Sequence, residues 1–291
     1  MHDNATNNMK VEMKICQVTL TKDFLRNLEE KERRILIHCA HTLNELNTLS
    51  KLFRLSTMQP NSEPERQLML MQSMCLLRLL AGKMYESWST FENLYFGSGL
   101  SHSFNARLGT ESAAILKNLK RYFSQNSAIK TIRHMYAFHY DAASHDHGIA
   151  ALPEDSALDI FFDKSTENTV YGFAEYVISH SAFSTISEDL EKAADILMNE
   201  TSEKCNQFQK ILSACIDSIL FPKNPSVKGK LRMTHEHVSS TKWEDAKLSL
   251  FLENPKPFTL KLDNGEIKQW TGGHDMQSEL LKELFELSGD K

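Results

Sequence analysis

Two stretches of this chain repeat apolar residues at intervals of three and four, and that periodicity constrains the fold most. Over residues 29–56 the positions Ile35, Leu36, Cys39, Leu43, Leu46, Leu49, Leu52 and Phe53 mark one face of a long amphipathic helix. A polar break with Pro60 and Pro64 follows, and residues 67–96 resume the pattern through Leu70, Met74, Leu77, Leu80, Met84, Trp88 and Phe91. The short break predicts that the second helix returns antiparallel to the first. Gly97-Ser98-Gly99 stops it, residues 101–109 read as a loop, and a third helical pattern runs through Ala114, Leu116, Leu119 and Phe123. A fourth helix is expected over about 128–143. Two long and two shorter helices joined by loops predict a mainly α helical bundle, in which sites are built from side chains on facing helices.

Beyond Gly148 the pattern weakens. Residues 157–162 allow a short strand, 169–181 suit strand or helix and are assigned to a helix, and 187–220 form a long additional helix with Leu190, Ala194, Leu197, Phe208, Leu212, Cys215 and Ile219 on one face. Phe221-Pro222 ends it. The tail then changes character: Phe258 to Leu262, the turn residues Asp263-Asn264-Gly265 and Ile267 to Trp270 spell a β-hairpin, with a last helix over about 276–287. The expected division is a helical domain over 1–222 and a small α+β accessory region over 223–291.

Composition narrows the setting. No run of about eighteen apolar residues occurs and the Asn-rich start lacks a basic segment followed by an apolar one, which predicts a soluble, cytoplasmic protein with no membrane partner. Five cysteines, an odd number widely spaced, read as reduced thiols. The net charge of −5 gives no global attraction to nucleic acid, so any such contact must be local.

One local patch exists. Lys117, Lys120, Arg121, Lys130 and Arg133 fall within an interval, 115–135, that holds no Asp or Glu. A solvated helix face explains a short charge run on its own; phosphate contact is the functional reading. The run leads into Arg133-His134-Met135-Tyr136-Ala137-Phe138-His139, in which five residues separate an arginine from a histidine and a polar residue follows the arginine. Here the chain resembles the HEPN superfamily of helical domains, which carry an Arg, a polar neighbour and a His after four to six intervening residues. The resemblance covers about the first half of the chain. It implies a HEPN-like bundle and, for catalytic members, a metal-independent RNA endonuclease whose cleft forms where two motif copies face each other across a homodimer; other members bind nucleotides or act as inactive partners.

The chemistry of the residues agrees with that expectation. Cleaving RNA through its own 2′-hydroxyl needs a proton acceptor, a proton donor and charge stabilisation at the phosphate. His139 can move a proton near neutral pH, and the fork of Arg133 can hold non-bridging phosphate oxygens, with His134 as its polar companion. Lys117, Lys120, Arg121 and Lys130 would contact the RNA backbone. Tyr140 can stack on a base and Asp141 can orient His139, although aromatics at helical spacing more often belong to a core. On a uniform helix Arg133 and His139 stand about 120° and about 9 Å apart, so either the helix is distorted there or each residue completes a site with the partner copy.

A rival constellation overlaps this one: His139, Asp141, His145, Asp146 and His147 lie within nine residues and all can ligate metal, but 145–147 reads as a turn and matches no recognised hydrolase spacing. No cofactor or metal is therefore expected. His235-x-His237 and the cluster Lys228, Lys230 and Arg232 read as polar surface. No P-loop, GxGxxG, CxxC or GxSxG occurs. The expectation is a dimeric HEPN-like ribonuclease, a stress or defence toxin with an antitoxin or inhibitor partner. A non-catalytic module binding RNA, nucleotide or protein is the alternative, and a metal-dependent phosphohydrolase the third.

Overall fold

A computed structural model describes residues 11–57, 60–138, 142–162, 168–221, 232–242, 246, 248–249, 258–261 and 267–270. In chain order the elements are β1 (Val11–Thr19), α1 (Lys22–Asn27), α2 (Glu30–Ser56), α3 (Glu63–Glu92) with a π-helical extension (Asn93–Gly97), and α4 (Ser101–Phe123). Then follow α5 (Ala128–Ile132) with a second π-helical segment (Arg133–Ala137), α6 (Ala143–Ala150), α7 (Gly172–Ser184), α8 (Leu190–Leu220), β2 (Arg232–Ser240), β3 (Phe258–Lys261) and β4 (Ile267–Trp270). The protein is mainly helical, and no described helix is long and apolar enough to cross a membrane.

Helix starts follow capping chemistry. The Ser62 hydroxyl accepts the Glu65 N–H at 3.3 Å with Pro64 in the first turn, Ser127 accepts the Lys130 N–H at 3.3 Å, and Asp189 accepts the Lys192 N–H at 3.1 Å. Each satisfies a backbone donor that the first turn cannot. The apolar face of α3 then packs on α2, while α8 packs on α2 and α4. Their shared core is aromatic: Trp88 stacks on Phe123 with centroids 4.9 Å apart, Phe91 stacks on Tyr95 at 5.2 Å, and Phe208 meets both Trp88 and Phe91 edge-on at 5.6 Å. These rings fix α3, α4 and α8 against one another, so the α4–α5 connection and the motif that follows are anchored by buried contacts at both ends.

Several expectations change. Residues 101–109 are helical, because Leu100, Phe104 and Leu108 recur every four residues and are all buried; the break is confined to Gly109, whose φ of +79° kinks α4. The expected helix over 128–143 instead ends at Phe138, with φ −126° and ψ −10°, and α6 begins at Ala143. His145, Asp146 and His147 therefore lie in a helix, not a turn. Residues 157–162 make no strand, only a single antiparallel bridge between Phe161 and Val170. The helix assigned over 169–181 is present as α7, and the hairpin is present as β3 and β4, with Phe258 opposite Trp270. Residues 263–265 and 276–287 lie outside the described residues.

The strand β1 has no clear signal in the local sequence pattern. It pairs antiparallel with β2 over nine residues, from Val11 opposite Ser240 to Thr19 opposite Arg232, so the first described strand joins a segment beyond α8 in one ribbon. His235 and His237, which sequence placed on polar surface, are exposed on β2 of that ribbon.

Candidate functional site

Gly82 decides where the Arg133 segment can sit. A Cβ built there would lie 2.6 Å from the Cβ of Ala137 and 2.9 Å from the ring of Phe138, closer than side chains pack. Only a glycine lets α3 and the end of the π-helical segment approach so closely. One turn along α3, Tyr85 and Glu86 occupy the same side of the helix as Gly82, as residues three and four apart must. They meet the beginning of the π-helical segment.

There the Arg133 guanidinium donates from Nε to the Glu86 carboxylate and stands 5.8 Å from the centroid of the Tyr85 ring. Its Nη1 lies 2.9 Å from Nδ1 of His134, whose ring meets Tyr85 edge-on at 5.5 Å. An arginine only donates, so Nδ1 of His134 accepts, and a neutral His134 ring then carries its proton on Nε2. Two of the five guanidinium N–H groups are engaged, which leaves the Nη2 edge for a ligand oxygen. Arg133 is half-buried and His134 is exposed. Downstream, Tyr136 is buried and its hydroxyl lies 2.9 Å from the Ser181 hydroxyl of α7, fixing the far side of the segment.

Of the two alternatives the spacing left open, the helix is distorted here: Arg133–Ala137 is π-helical, a rare geometry found at many functional sites, and the helix stops one residue later. The 120° separation of a uniform helix does not apply. His139, Tyr140 and Asp141 lie outside the described residues.

Lys117, Lys120 and Arg121 share one exposed face of α4, at spacings of three and four, and Lys130 is half-buried on α5. Lys120 places its ammonium 4.1 Å over the Phe96 ring. Phe96 is ten residues beyond Glu86 on α3 and its extension, about 15 Å of axial rise, so this part of the basic face lies to one side of Arg133 and not around it. Among the described residues no acid pairs with Lys117, Arg121 or Lys130. Nearby, burial and the Glu200 carboxylate, which accepts the Tyr122 hydroxyl at 2.6 Å, hold that phenol protonated far above its usual range.

Among the described residues no three metal-ligating side chains converge. His145 and Asp146 are exposed on α6, while Nε2 of His147 lies 3.1 Å from the Ser184 hydroxyl and ties α6 to α7. Tyr85 and Glu86 do not stand out in the sequence, where they look like surface residues on an amphipathic helix. The available signal was Gly82, a mid-helix glycine that marks a close packing neighbour. Comparison of the chain with protein-family models, with curated protein sequences and with solved structures finds no match.

Proposed function

We propose that this chain is a HEPN-like helical protein that cleaves RNA without a metal, as a homodimer. The observation that carries the reading is the Arg133–His134 pair on a π-helical segment seated against Gly82, Tyr85 and Glu86, with the Nη2 edge of the guanidinium unengaged. In this reading Arg133 holds non-bridging oxygens of the scissile phosphate, where its charge counts most as negative charge develops in the transition state. Glu86 and His134 fix the plane of the fork in advance, so little side-chain freedom is lost when RNA arrives. His139 takes the 2′-hydroxyl proton and returns one to the leaving oxygen. The unpaired cations Lys117, Arg121 and Lys130 guide the backbone, which must be single-stranded to reach in-line geometry. Toxicity under stress or in defence, restrained by an antitoxin or inhibitor protein, would follow from such an activity.

The ion pair itself favours a second reading. Glu86 already compensates the charge of Arg133, as expected of a non-catalytic HEPN-like module in which the arginine joins two helices and RNA, a nucleotide or a protein binds elsewhere. Variants separate the two. If the ribonuclease reading holds, Arg133→Ala and His139→Ala each lower cleavage of a mixed RNA pool by about 10²–10⁴-fold, EDTA has no effect, and both proteins keep the wild-type melting temperature within a few degrees. Unfolding of Arg133→Ala with no cleavage by the wild type selects the module. Cleavage abolished by EDTA selects the metal-dependent phosphohydrolase.

A further inference from the structure

The segment that leads into α7 is bridged on one side only and leaves the other side of its backbone open. Phe161 donates to the Val170 carbonyl at 2.9 Å and accepts from the Val170 N–H at 2.8 Å, while the Asp159 carbonyl accepts the Phe173 N–H at 2.9 Å. Residues 159 and 161 therefore turn their backbone groups toward 170–173. In an extended chain the alternate residues must turn theirs the other way. Those residues are Leu158, Ile160 and Phe162, and none makes a backbone hydrogen bond among the described residues.

Their side chains are apolar and out in solvent: Leu158 is 48% exposed, Ile160 40% and Phe162 38%. The patch continues across the bridge. Phe162 meets Tyr171 edge-on at 6.4 Å and Tyr171 meets Phe173 at 6.5 Å, with both tyrosine and phenylalanine exposed. Contiguous aromatic and aliphatic surface, with no cation among these described residues, is the composition of an interface core, not of a nucleic-acid contact.

We infer that this edge pairs antiparallel with the same edge of a second copy, about a two-fold axis through Ile160. The register is self-complementary. Ile160 falls opposite Ile160 of the second copy and Leu158 opposite its Phe162, and each of these pairs can exchange two hydrogen bonds because all three residues point their backbone groups outward. All the facing side chains share one side of the new sheet and are apolar, a favourable set of cross-strand pairs. The one charge of the stretch, Asp159, falls opposite Phe161 of the second copy on the other side, so like charges do not meet. The β1–β2 ribbon offers no comparable edge, since Glu12, Lys14 and Glu236 place charges along it, the usual protection of an exposed strand. In naming the interface of a dimer, the inference rests on the ribonuclease reading only for its purpose; the edge geometry stands without it.

The test uses the full chain with the exposed Cys16 and Cys75 replaced by serine. Sedimentation across the micromolar range should give a dimer, and Ile160→Pro and Ile160→Asp, at an exposed site, should give folded monomers by circular dichroism. Ile160→Cys should cross-link to a covalent dimer under mild oxidation, because an opposed hydrogen-bonded pair has its Cα atoms about 5.5 Å apart, within disulfide reach. Asp159→Cys should not. A monomeric wild type, or a dimer that survives Ile160→Pro while Ile160→Cys fails to cross-link, overturns the inference. RNA cleavage measured on the same proteins keeps the two ideas apart: an edge dimer without cleavage retains this interface and removes the ribonuclease, and cleavage by the Ile160→Asp monomer removes the composite site alone.

Discussion

Gly82→Ala is the sharpest test of how the Arg133 segment is held. A methyl group there would lie 2.6 Å from the Ala137 Cβ and 2.9 Å from the Phe138 ring, and both are near the end of the π-helical segment, so either α3 or that segment must move. Overpacking of this kind costs about 1–3 kcal/mol. Replacing a helical glycine by alanine also gains up to about 1 kcal/mol of propensity, which partly offsets it. Gly97 isolates that second effect, since it too lies in a helical segment and a Cβ there meets nothing within 4 Å. The expected order of stability is therefore Gly97→Ala at or above wild type, with Gly82→Ala below it by the overpacking cost. At about 2–4 °C per kcal/mol for a domain of 150–250 residues, calorimetry should separate the two variants by about 2–12 °C. Gly82→Ala should also lower RNA cleavage more than its stability explains, because Arg133 moves with the segment. A Gly82→Ala protein that melts with or above Gly97→Ala refutes the close approach and, with it, the argument that α3 fixes Arg133.

Further outcomes follow from other contacts. Arg78 is buried and donates to the Glu175 carboxylate at 2.6 Å and the Ser179 hydroxyl at 3.4 Å, joining α3 to α7, so Glu175→Ala, which strands the buried guanidinium without its counter-charge, should cost about 3–5 kcal/mol in urea unfolding and more than Arg78→Met, which leaves only a carboxylate that reaches solvent. Equal effects would show that the pair does not carry the α3–α7 contact. Burial holds the His38 imidazole below its ordinary value of 6.5 even though its Nε2 lies 3.0 Å from the Ser87 carbonyl. The unfolded chain then binds the proton more readily, so this contribution is complete above pH 6.5 and is lost as pH falls toward the folded value. Urea titrations of wild type and His38→Gln should converge on acidification through that range, and parallel curves would dismiss the effect.

The bundle was largely legible because its long helices obey one period over many turns. The Leu77, Met84, Trp88 and Phe91 face and the Leu197, Phe208, Leu212 and Cys215 face are buried as that period requires. Local punctuation misled where tertiary packing overrode it. Gly97, Gly99 and Gly109 suggested a loop, yet Leu100, Phe104 and Leu108 bury one face and carry a helix through the interval. The β1 strand is not legible locally because its partner is more than two hundred residues away, and a short alternation such as Met13-Lys14-Ile15 is weak evidence without β2 beside it. At the candidate site the Arg133 motif and its basic approach were visible, since they are local in sequence. Glu86 and Tyr85 were not, because their role depends on how closely two helices approach at Gly82, which no spacing rule within one helix encodes.

In the proposed ribonuclease, Arg133 and its surroundings act on RNA through the 2′-hydroxyl. The most direct measurement incubates the purified wild-type protein, in EDTA, with an unstructured RNA and with its 2′-deoxy counterpart, and analyses the ends of any fragments. The expected result is cleavage of the RNA alone, with fragments ending in 2′,3′-cyclic phosphate. Intact RNA at protein concentrations where the dimer forms, or cleavage of both strands alike, would contradict it.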